Sequence, residues 1–295
     1  MKKNYILSVL LLLSAIPLWA FQDMDNVKIK VIPMSENIYM LTGRGGNIGV
    51  LTGNDGVFMI DDQFAELSPK IKAVLDSLSG QPVKFLLNTH FHGDHTGGNA
   101  NFKESGAVLL AQENVRQRLK ENNEHPAEDK LPVITFNEEI SLHLNGNDVM
   151  ALHVHNAHTD GDAIIYLPQG NVLHTGDTFF NGAFPYIDLD SGGSVAGDIE
   201  AAQQGLAIIN KNTRIIPGHG APAGYEDYRQ YLEMLKGIRE NVLSAISNGA
   251  SREQIIEDES LTSSYYTDAE VKDSFISGPK IRATFYDSLQ AENNQ

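Results

Sequence analysis

The sequence has 295 residues, 41% of them hydrophobic, and a formal net charge of −16 at pH 7. That much apolar material supports a packed core, while the acidic excess repels phosphate backbones and so counts against a nuclease, a nucleic-acid partner or an anionic membrane surface. Because the chain contains no cysteine, disulfides and thiolate ligands are excluded.

Residues 1–20 have the pattern of a secretory leader. Two lysines near the start precede an apolar stretch over residues 6–16, and Ala20 is a small residue suited to cleavage. The apolar run is short, contains two serines and is followed by Pro17, so it favours a cleaved leader over a stable membrane anchor. We therefore expect a periplasmic or secreted protein whose mature chain, residues 21–295, forms one domain.

The first half of the mature chain alternates between predicted strands and one helix. Four short apolar runs separated by turn residues predict an antiparallel meander over residues 27–32, 37–41, 48–52 and 57–60. Apolar side chains then recur at helical spacing from Leu67 to Leu78, with Pro69 in the first turn and Gly80 at the stop. Residues 83–87 read as the next buried strand.

A dense group of potential metal ligands follows that strand. His90, His92, Asp94 and His95 lie within six residues. Since alternate side chains of an extended segment share a side, His90 and His92 can bind one ion while Asp94 and His95 turn towards another. Imidazole and carboxylate ligands without thiolate favour zinc first, and iron or manganese next.

The later part of the chain repeats this order of elements. A strand at 107–111, an exposed helix at 113–121 and a charged loop at 122–132 come first, followed by strands at 140–144, 149–154 and 163–167 with an Asn145-Gly146 hairpin turn. A second strand, helix and strand are predicted over residues 171–177, 198–210 and 214–219. A long amphipathic helix at 225–247 and further helical segments complete the chain.

The run from His90 to His95 resembles the H-x-H-x-D-H signature of the metallo-β-lactamase superfamily. The segments around His158, Asp177 and His219 resemble the later motifs of that family. The resemblance implies an α/β fold, namely a four-layer αββα sandwich built from two similar half-domains. It also implies that His90, His92 and His158 bind one metal, that Asp94, His95 and His219 bind a second, and that Asp177 bridges them.

Such a site implies a hydrolase with two zinc ions per chain. A hydroxide shared by the metals would attack the carbonyl of a small ester, lactone or cyclic amide, with Asp94 orienting it and passing on its proton. A β-lactamase is the main specific alternative, although the β-lactamases with a cysteine ligand have it where this chain has Asp177. An Asp there resembles hydroxyacylglutathione hydrolases and lactonases, yet Phe180 stands where quorum-signal lactonases are expected to have Tyr. An iron-dependent oxidoreductase and a non-catalytic metal-binding protein remain open, and no sequence feature specifies an oligomeric state.

Other residues near these motifs have competing interpretations. His153 and His155 share a strand face and are alternatives to His158, but only His158 lies in the His-Thr context. His143 and His174 are expected to be structural. Asp61 is expected to orient a metal ligand, and an ordinary turn residue is the competing interpretation.

Aromatic residues cluster directly after Asp177. We expect this group to line or support one wall of the cleft and to favour an apolar or cyclic acyl group in the substrate. The group consists of Phe179, Phe180, Phe184, Pro185 and Tyr186.

Overall fold

The computed structural model of the protein describes residues 24–121 and 128–293. The predicted leader and residues 122–127 of the charged loop lie outside the described residues. Within the described ranges the strands form a seven-stranded and a six-stranded sheet.

The first sheet contains the predicted meander and the strand that leads to the histidine motif. Its strands lie side by side in chain order: β1 Lys30–Pro33, β2 Ile38–Thr42, β3 Ile48–Leu51, β4 Val57–Ile60, β5 Val83–Asn88, β6 Val108–Gln112 and β7 Ile134–Phe136. Strands β1 to β4 are antiparallel and β4 to β7 are parallel. The connecting helices are α1 Ser68–Leu78, α2 Gly93–Thr96, α3 Asn99–Glu104 and α4 Glu113–Glu121.

The second sheet carries the remaining predicted ligands on its loops. Its strands are β8 Glu139–Leu144, β9 Asn147–His153, β10 Ala163–Leu167, β11 Val172–His174, β12 Arg214–Ile216 and β13 Ala223–Gly224, in the order β13-β12-β11-β10-β9-β8. Only the β11 and β12 pair is parallel among these strands. The predicted hairpin between β8 and β9 is present, and both turn residues, Asn145 and Gly146, have the positive φ that its tight geometry requires.

Helices cover the outer faces of both sheets. Along the chain, α5 Val195–Ile208 lies between β11 and β12 of the second sheet. Three further helices follow β13: α6 Tyr225–Ser247, α7 Arg252–Glu257 and α8 Gly278–Asn293. One apolar core, including Phe58 and Ile165, lies between the sheets. A second core packs α1 against the first sheet through Ile71, and a third packs α6 against the second sheet through Leu235. The layers are therefore helix, sheet, sheet, helix, which confirms the predicted αββα sandwich.

Several element boundaries differ from those predicted. Helix α5 begins at Val195 rather than 198 because the Ser194 side chain caps it by accepting a hydrogen bond from the Gly197 amide. Strand β1 begins at Lys30, since Val27 packs on the outer core instead of joining the ladder. The short elements α2, α3, β7 and β13 were not predicted.

Two of the units that pair parallel strands across a helix match the predicted internal repeat. They are β4-α1-β5 and β11-α5-β12. Parallel strands end at the same edge of a sheet, so the loops that follow them meet there. In the described parts of the chain, no helix combines the length and apolar character needed to cross a bilayer.

Candidate metal centre

All seven predicted ligands lie together at the loops where strands end. They form two groups, His90, His92, His158 and Asp177, and Asp94, His95 and His219, and within each group the potential ligand atoms lie within 4.8 Å of one another. The loop after β5 contains His90, His92, Asp94 and His95. Of the others, His158 lies between β9 and β10, Asp177 follows β11 and His219 follows β12.

Three imidazole nitrogens converge in the first group. The Nδ1 atom of His92 lies 3.1 Å from Nε2 of His90 and 2.9 Å from Nε2 of His158. Asp177 Oδ2 completes the group at 3.8 Å from His90 Nε2 and 3.7 Å from His158 Nε2. This set of nitrogen and oxygen donors suits zinc.

The second group shares the Asp177 carboxylate with the first. His219 Nε2 lies 3.3 Å from Asp94 Oδ2, and His95 Nε2 lies 3.7 Å from the same oxygen. Asp177 faces this group as well, with Oδ1 3.1 Å from His95 Nε2 and Oδ2 3.3 Å from His219 Nε2. Asp177 therefore occupies the position between the two groups that the sequence predicted for a bridging residue.

Two buried atoms at the centre have no hydrogen-bond partner. They are His95 Nε2 and Asp177 Oδ1. Burial alone would raise the pKa of Asp177, but the nearby His95, His219 and His90 hold it well below its usual range. Burial also lowers the pKa of His158, and together with the charge of His95 it lowers that of His90, which leaves both rings neutral. Burial opposes protonation of His95 and His219, but Asp177 and the neighbouring carboxylates raise the pKa of His95 well above its usual value and that of His219 to about 9. The anionic Asp177 beside the neutral His90 and His158 rings fits a divalent cation in the first group.

The far nitrogen of four of these histidines is held by a hydrogen bond, which fixes the ring orientation. The partners are Thr89 Oγ1 for His90 at 3.0 Å, Asp188 Oδ2 for His92 at 3.0 Å, Asp61 Oδ2 for His95 at 2.7 Å and the Tyr186 carbonyl oxygen for His158 at 2.6 Å. Asp61 also accepts a hydrogen bond from the Thr89 amide. Asp61 therefore contacts His95 as an orienting residue would, whereas Asp188 was missed because it lies 96 residues from its partner and belongs to no motif.

The other histidines lie outside the cluster. His153 Nδ1 bonds to the Asp162 carbonyl oxygen and His155 pairs with Glu138 at the surface, so neither replaces His158. His174 is buried between the Asn47 carbonyl oxygen and the Gly176 amide, as expected for a structural residue. His143 is instead exposed and pairs with Asp148.

Two glycines allow the backbone to approach the ligands. A Cβ atom on Gly218 would lie 2.1 Å from Asp177 Oδ1, and one on Gly97 would lie 2.7 Å from the Gly93 carbonyl oxygen. At Gly93, by contrast, a Cβ would meet no atom within 4 Å.

A cleft of about 650 Å³ opens onto the two groups. Its polar floor includes His92, Asp94, Asp177 and His219, and its aromatic walls consist of Phe64, Phe180, Tyr186 and Phe275. The prediction that the aromatics after Asp177 line or support the cleft holds for Phe180 and Tyr186, which line it, while Phe179 and Phe184 belong to the core beneath α6. Phe64 and Phe275 lie far from the motifs in sequence and were missed.

Comparisons with known proteins agree with this geometry. Residues 41–244 match the family model described as the metallo-beta-lactamase superfamily. A hydroxyacylglutathione hydrolase of Nitrosococcus oceani is 33% identical over 146 residues, which cover 48% of this chain and 50% of that protein. A type 2 metallo-beta-lactamase of Bacteroides fragilis is 24% identical over 164 residues, covering 55% of this chain and 63% of that protein.

The curated relatives match over only part of their length. The chain spans about half the length of those that it matches. A solved metallo-beta-lactamase structure from Pontibacter korlensis superposes with a TM-score of 0.63 at 19% identity, covering 71% of this chain and 99% of that one. At this identity, the superposition shows a shared fold.

Proposed function

The chain belongs to the metallo-beta-lactamase superfamily, and from this membership we propose that it is an exported hydrolase that holds two metal ions, preferably zinc, and cleaves a small ester, lactone or cyclic amide. The observation that carries the proposal is the position of Asp177. Its carboxylate lies within 3.8 Å of His90 Nε2 on one side and 3.1 Å of His95 Nε2 on the other.

The donor sets suggest how the metals would be divided. His90, His92 and His158 would hold one ion, Asp94, His95 and His219 would hold the other, and Asp177 would contribute to both. Two cations there would supply Lewis acidity, which acidifies water and polarises a carbonyl group. The side chains of the cleft supply the remaining functions.

Asp94 is the residue that we assign to proton handling. Its side chain is partly exposed at the floor of the cleft, where Oδ2 faces His219. Burial opposes ionisation, but the charges of His95 and His219 bring the pKa of Asp94 below its ordinary value. An ionised carboxylate at this position can accept a hydrogen bond from the attacking water, orient it and take its proton.

The cleft walls support a small substrate with an apolar part. Phe64, Phe180, Tyr186 and Phe275 surround the polar floor and would exclude bulk water from the reacting carbonyl. The net charge of −16 disfavours polyanionic substrates. Both features support a carbonyl compound over a phosphodiester.

Hydrolysis of β-lactam antibiotics is the second candidate function. It is favoured by the match to type 2 metallo-beta-lactamases from Bacteroides fragilis and Elizabethkingia meningoseptica, each at 24% identity. A β-lactam is a cyclic amide and presents the same reacting group. We place it second because Asp177 stands where the cysteine ligand is expected in one β-lactamase class.

The test combines elemental analysis with a substrate panel on the purified protein. The panel contains a chromogenic cephalosporin, a lactone series, aryl esters and a phosphodiester. We expect two metal equivalents per chain, turnover of a carbonyl substrate, and loss of one metal and most turnover in Asp177→Ala, with the exposed Asp190→Ala as the control. Full activity with one metal would contradict the proposal, and so would efficient phosphodiester cleavage without turnover of any carbonyl substrate. Bound iron together with dioxygen consumption would favour an oxidoreductase.

A further inference from the structure

Phe275 stands out among the exposed apolar side chains of the described residues. It is 70% exposed, whereas the other large exposed hydrophobics are the aliphatic Val31, Val133, Ile134 and Ile208. Phe275 is also the one of these five that lines the cleft above the candidate metal centre. An exposed aromatic side chain that also lines a cleft is available to contact a ligand.

The contacts of the Phe275 ring define a small apolar surface. The ring meets Tyr186 edge to face with a centroid separation of 5.3 Å. The Lys280 ammonium lies 4.6 Å from the centre of the Phe275 ring and 5.0 Å from that of Tyr186. This contact with both rings favours their present arrangement.

The segment that carries Phe275 is firmly anchored. Arg282 is fully buried and donates two hydrogen bonds of 2.8 Å to the Asp268 carboxylate and one of 2.8 Å to Thr262 Oγ1. Ile276, the next residue in the chain, is buried in the helical core. Because the chain is held on both sides, Phe275 is presented to the cleft by a fixed scaffold.

We propose that Phe275, together with Tyr186, forms the subsite that selects the apolar, non-reacting part of the substrate. This inference rests on the proposed function. The subsite lies at the mouth of the cleft, and the metal groups lie at its floor, so a linear acyl chain whose carbonyl group reaches the floor would contact Phe275 with its distal carbons. Phe275 is thus a specificity-determining residue supplied by the segment that precedes α8.

The kinetic test uses esters with one leaving group and acyl chains from acetyl to octanoyl. In the wild type, kcat/KM should rise with chain length. In Phe275→Ala, the ratio of octanoyl to acetyl kcat/KM should fall by about tenfold to a hundredfold, and Phe275→Leu should recover part of it. Val133→Ala removes another exposed hydrophobic outside the cleft and should keep the wild-type ratio. An unchanged ratio in Phe275→Ala would overturn the inference.

A binding test separates this inference from the proposed function. The sole tryptophan of the sequence, Trp19, lies in the predicted leader, so Phe275→Trp, combined with Trp19→Phe wherever the leader is retained, reports on the subsite alone. Its emission should shift to the blue with octanoate and stay constant with acetate, while a Trp19→Phe, Val133→Trp control should respond to neither. If no ester, lactone or cyclic amide is hydrolysed, the proposed function fails and this titration alone tests the subsite. A missing octanoate shift would then overturn the subsite.

Discussion

At the scale of single residues, the candidate centre depends on which buried histidines face each other. His153 and His158 are both buried and lie five residues apart. His153 Nδ1 bonds to a backbone carbonyl oxygen, whereas His158 Nε2 faces His92 at 2.9 Å. We therefore predict that His158→Ala loses metal and activity, while His153→Ala keeps both. Elemental analysis after dialysis distinguishes the two variants, and equal metal loss in both would contradict this assignment.

Asp188 allows a test of an orienting residue. Its Oδ2 atom lies 3.0 Å from His92 Nε2, and hydrogen bonds from His92 and Ser191 outweigh burial to bring the pKa of Asp188 to about 2. Asp188→Ala should weaken metal affinity by about tenfold to a hundredfold while leaving the stoichiometry at saturating metal unchanged. Competition with a chromogenic chelator measures this affinity. Asp190→Ala, an exposed neighbour, is the matched control, and equal affinities in the two variants would refute the role.

At this scale, some residues of the site could be predicted from the sequence and others could not. The convergence of the seven candidate ligands could be predicted because each lies in a short local motif after a strand, and the position of Asp61 because it ends a strand equivalent to the one before Asp177. Asp188, Phe64 and Phe275 could not be predicted, since they belong to no motif and are placed at the site by contacts with residues distant in sequence.

At the scale of elements, a buried carboxylic acid joins α5 to α6. Asp198 Oδ2 accepts a hydrogen bond of 3.0 Å from the Tyr231 hydroxyl, and its Oδ1 has no partner. Burial raises the pKa of Asp198 well above its ordinary value. The folded state therefore binds this proton more tightly than the unfolded state, and the resulting stabilisation, complete below about pH 4, is lost as the pH rises towards the raised pKa.

Asp198→Asn should remove that pH dependence because an amide keeps an acceptor for Tyr231 and has no proton to lose. Relative to the wild type, the variant should gain stability between pH 5 and pH 8. Tyr231→Phe should instead lose about 1–3 kcal/mol of unfolding free energy, since it leaves Asp198 without its donor. Urea unfolding at pH 5 and at pH 8 measures these differences in unfolding free energy. Parallel pH dependence in Asp198→Asn and the wild type would contradict the prediction.

The elements that could be predicted are those whose apolar residues recur with a clear helical period or form a short run between turn residues. The strands at 57–60 and 163–167 and the helices at 113–121 and 225–247 coincide with β4, β10, α4 and α6. Strand β13 has two residues and β7 has three, which is too short for any pattern. Helix α2 contains Gly, Asp and His, and it forms because the loop wraps around the ligand groups.

At the scale of the whole molecule, the sequence predicts export. The lysine-led apolar leader ends in Ala20, so we expect cleavage close to the Ala20 to Phe21 bond. Mass spectrometry of protein recovered from the periplasm or medium should give a chain that begins near residue 21. Recovery of the intact amino terminus from the cytoplasm would refute this expectation.

The metals should also stabilise the molecule as one unit. The loop after β5 in the first sheet supplies His90, His92, Asp94 and His95, and loops of the second sheet supply the other three ligands. Bound metals would therefore join the two sheets, which already share one apolar core. At a free metal concentration of a thousand times Kd, each site would add about 4 kcal/mol to the free energy of unfolding.

We predict that chelation lowers the Tm by several degrees in a single transition, because the shared core prevents the two sheets from unfolding separately. A reductant should leave the Tm unchanged, since the chain contains no cysteine. Differential scanning calorimetry, with metal content verified before and after chelation, measures both effects. His158→Ala should start from the lower Tm and respond less to the chelator, because it removes a ligand that the second sheet contributes to the centre. An unchanged Tm in metal-free wild-type protein would show that the sheets are held together by their core alone.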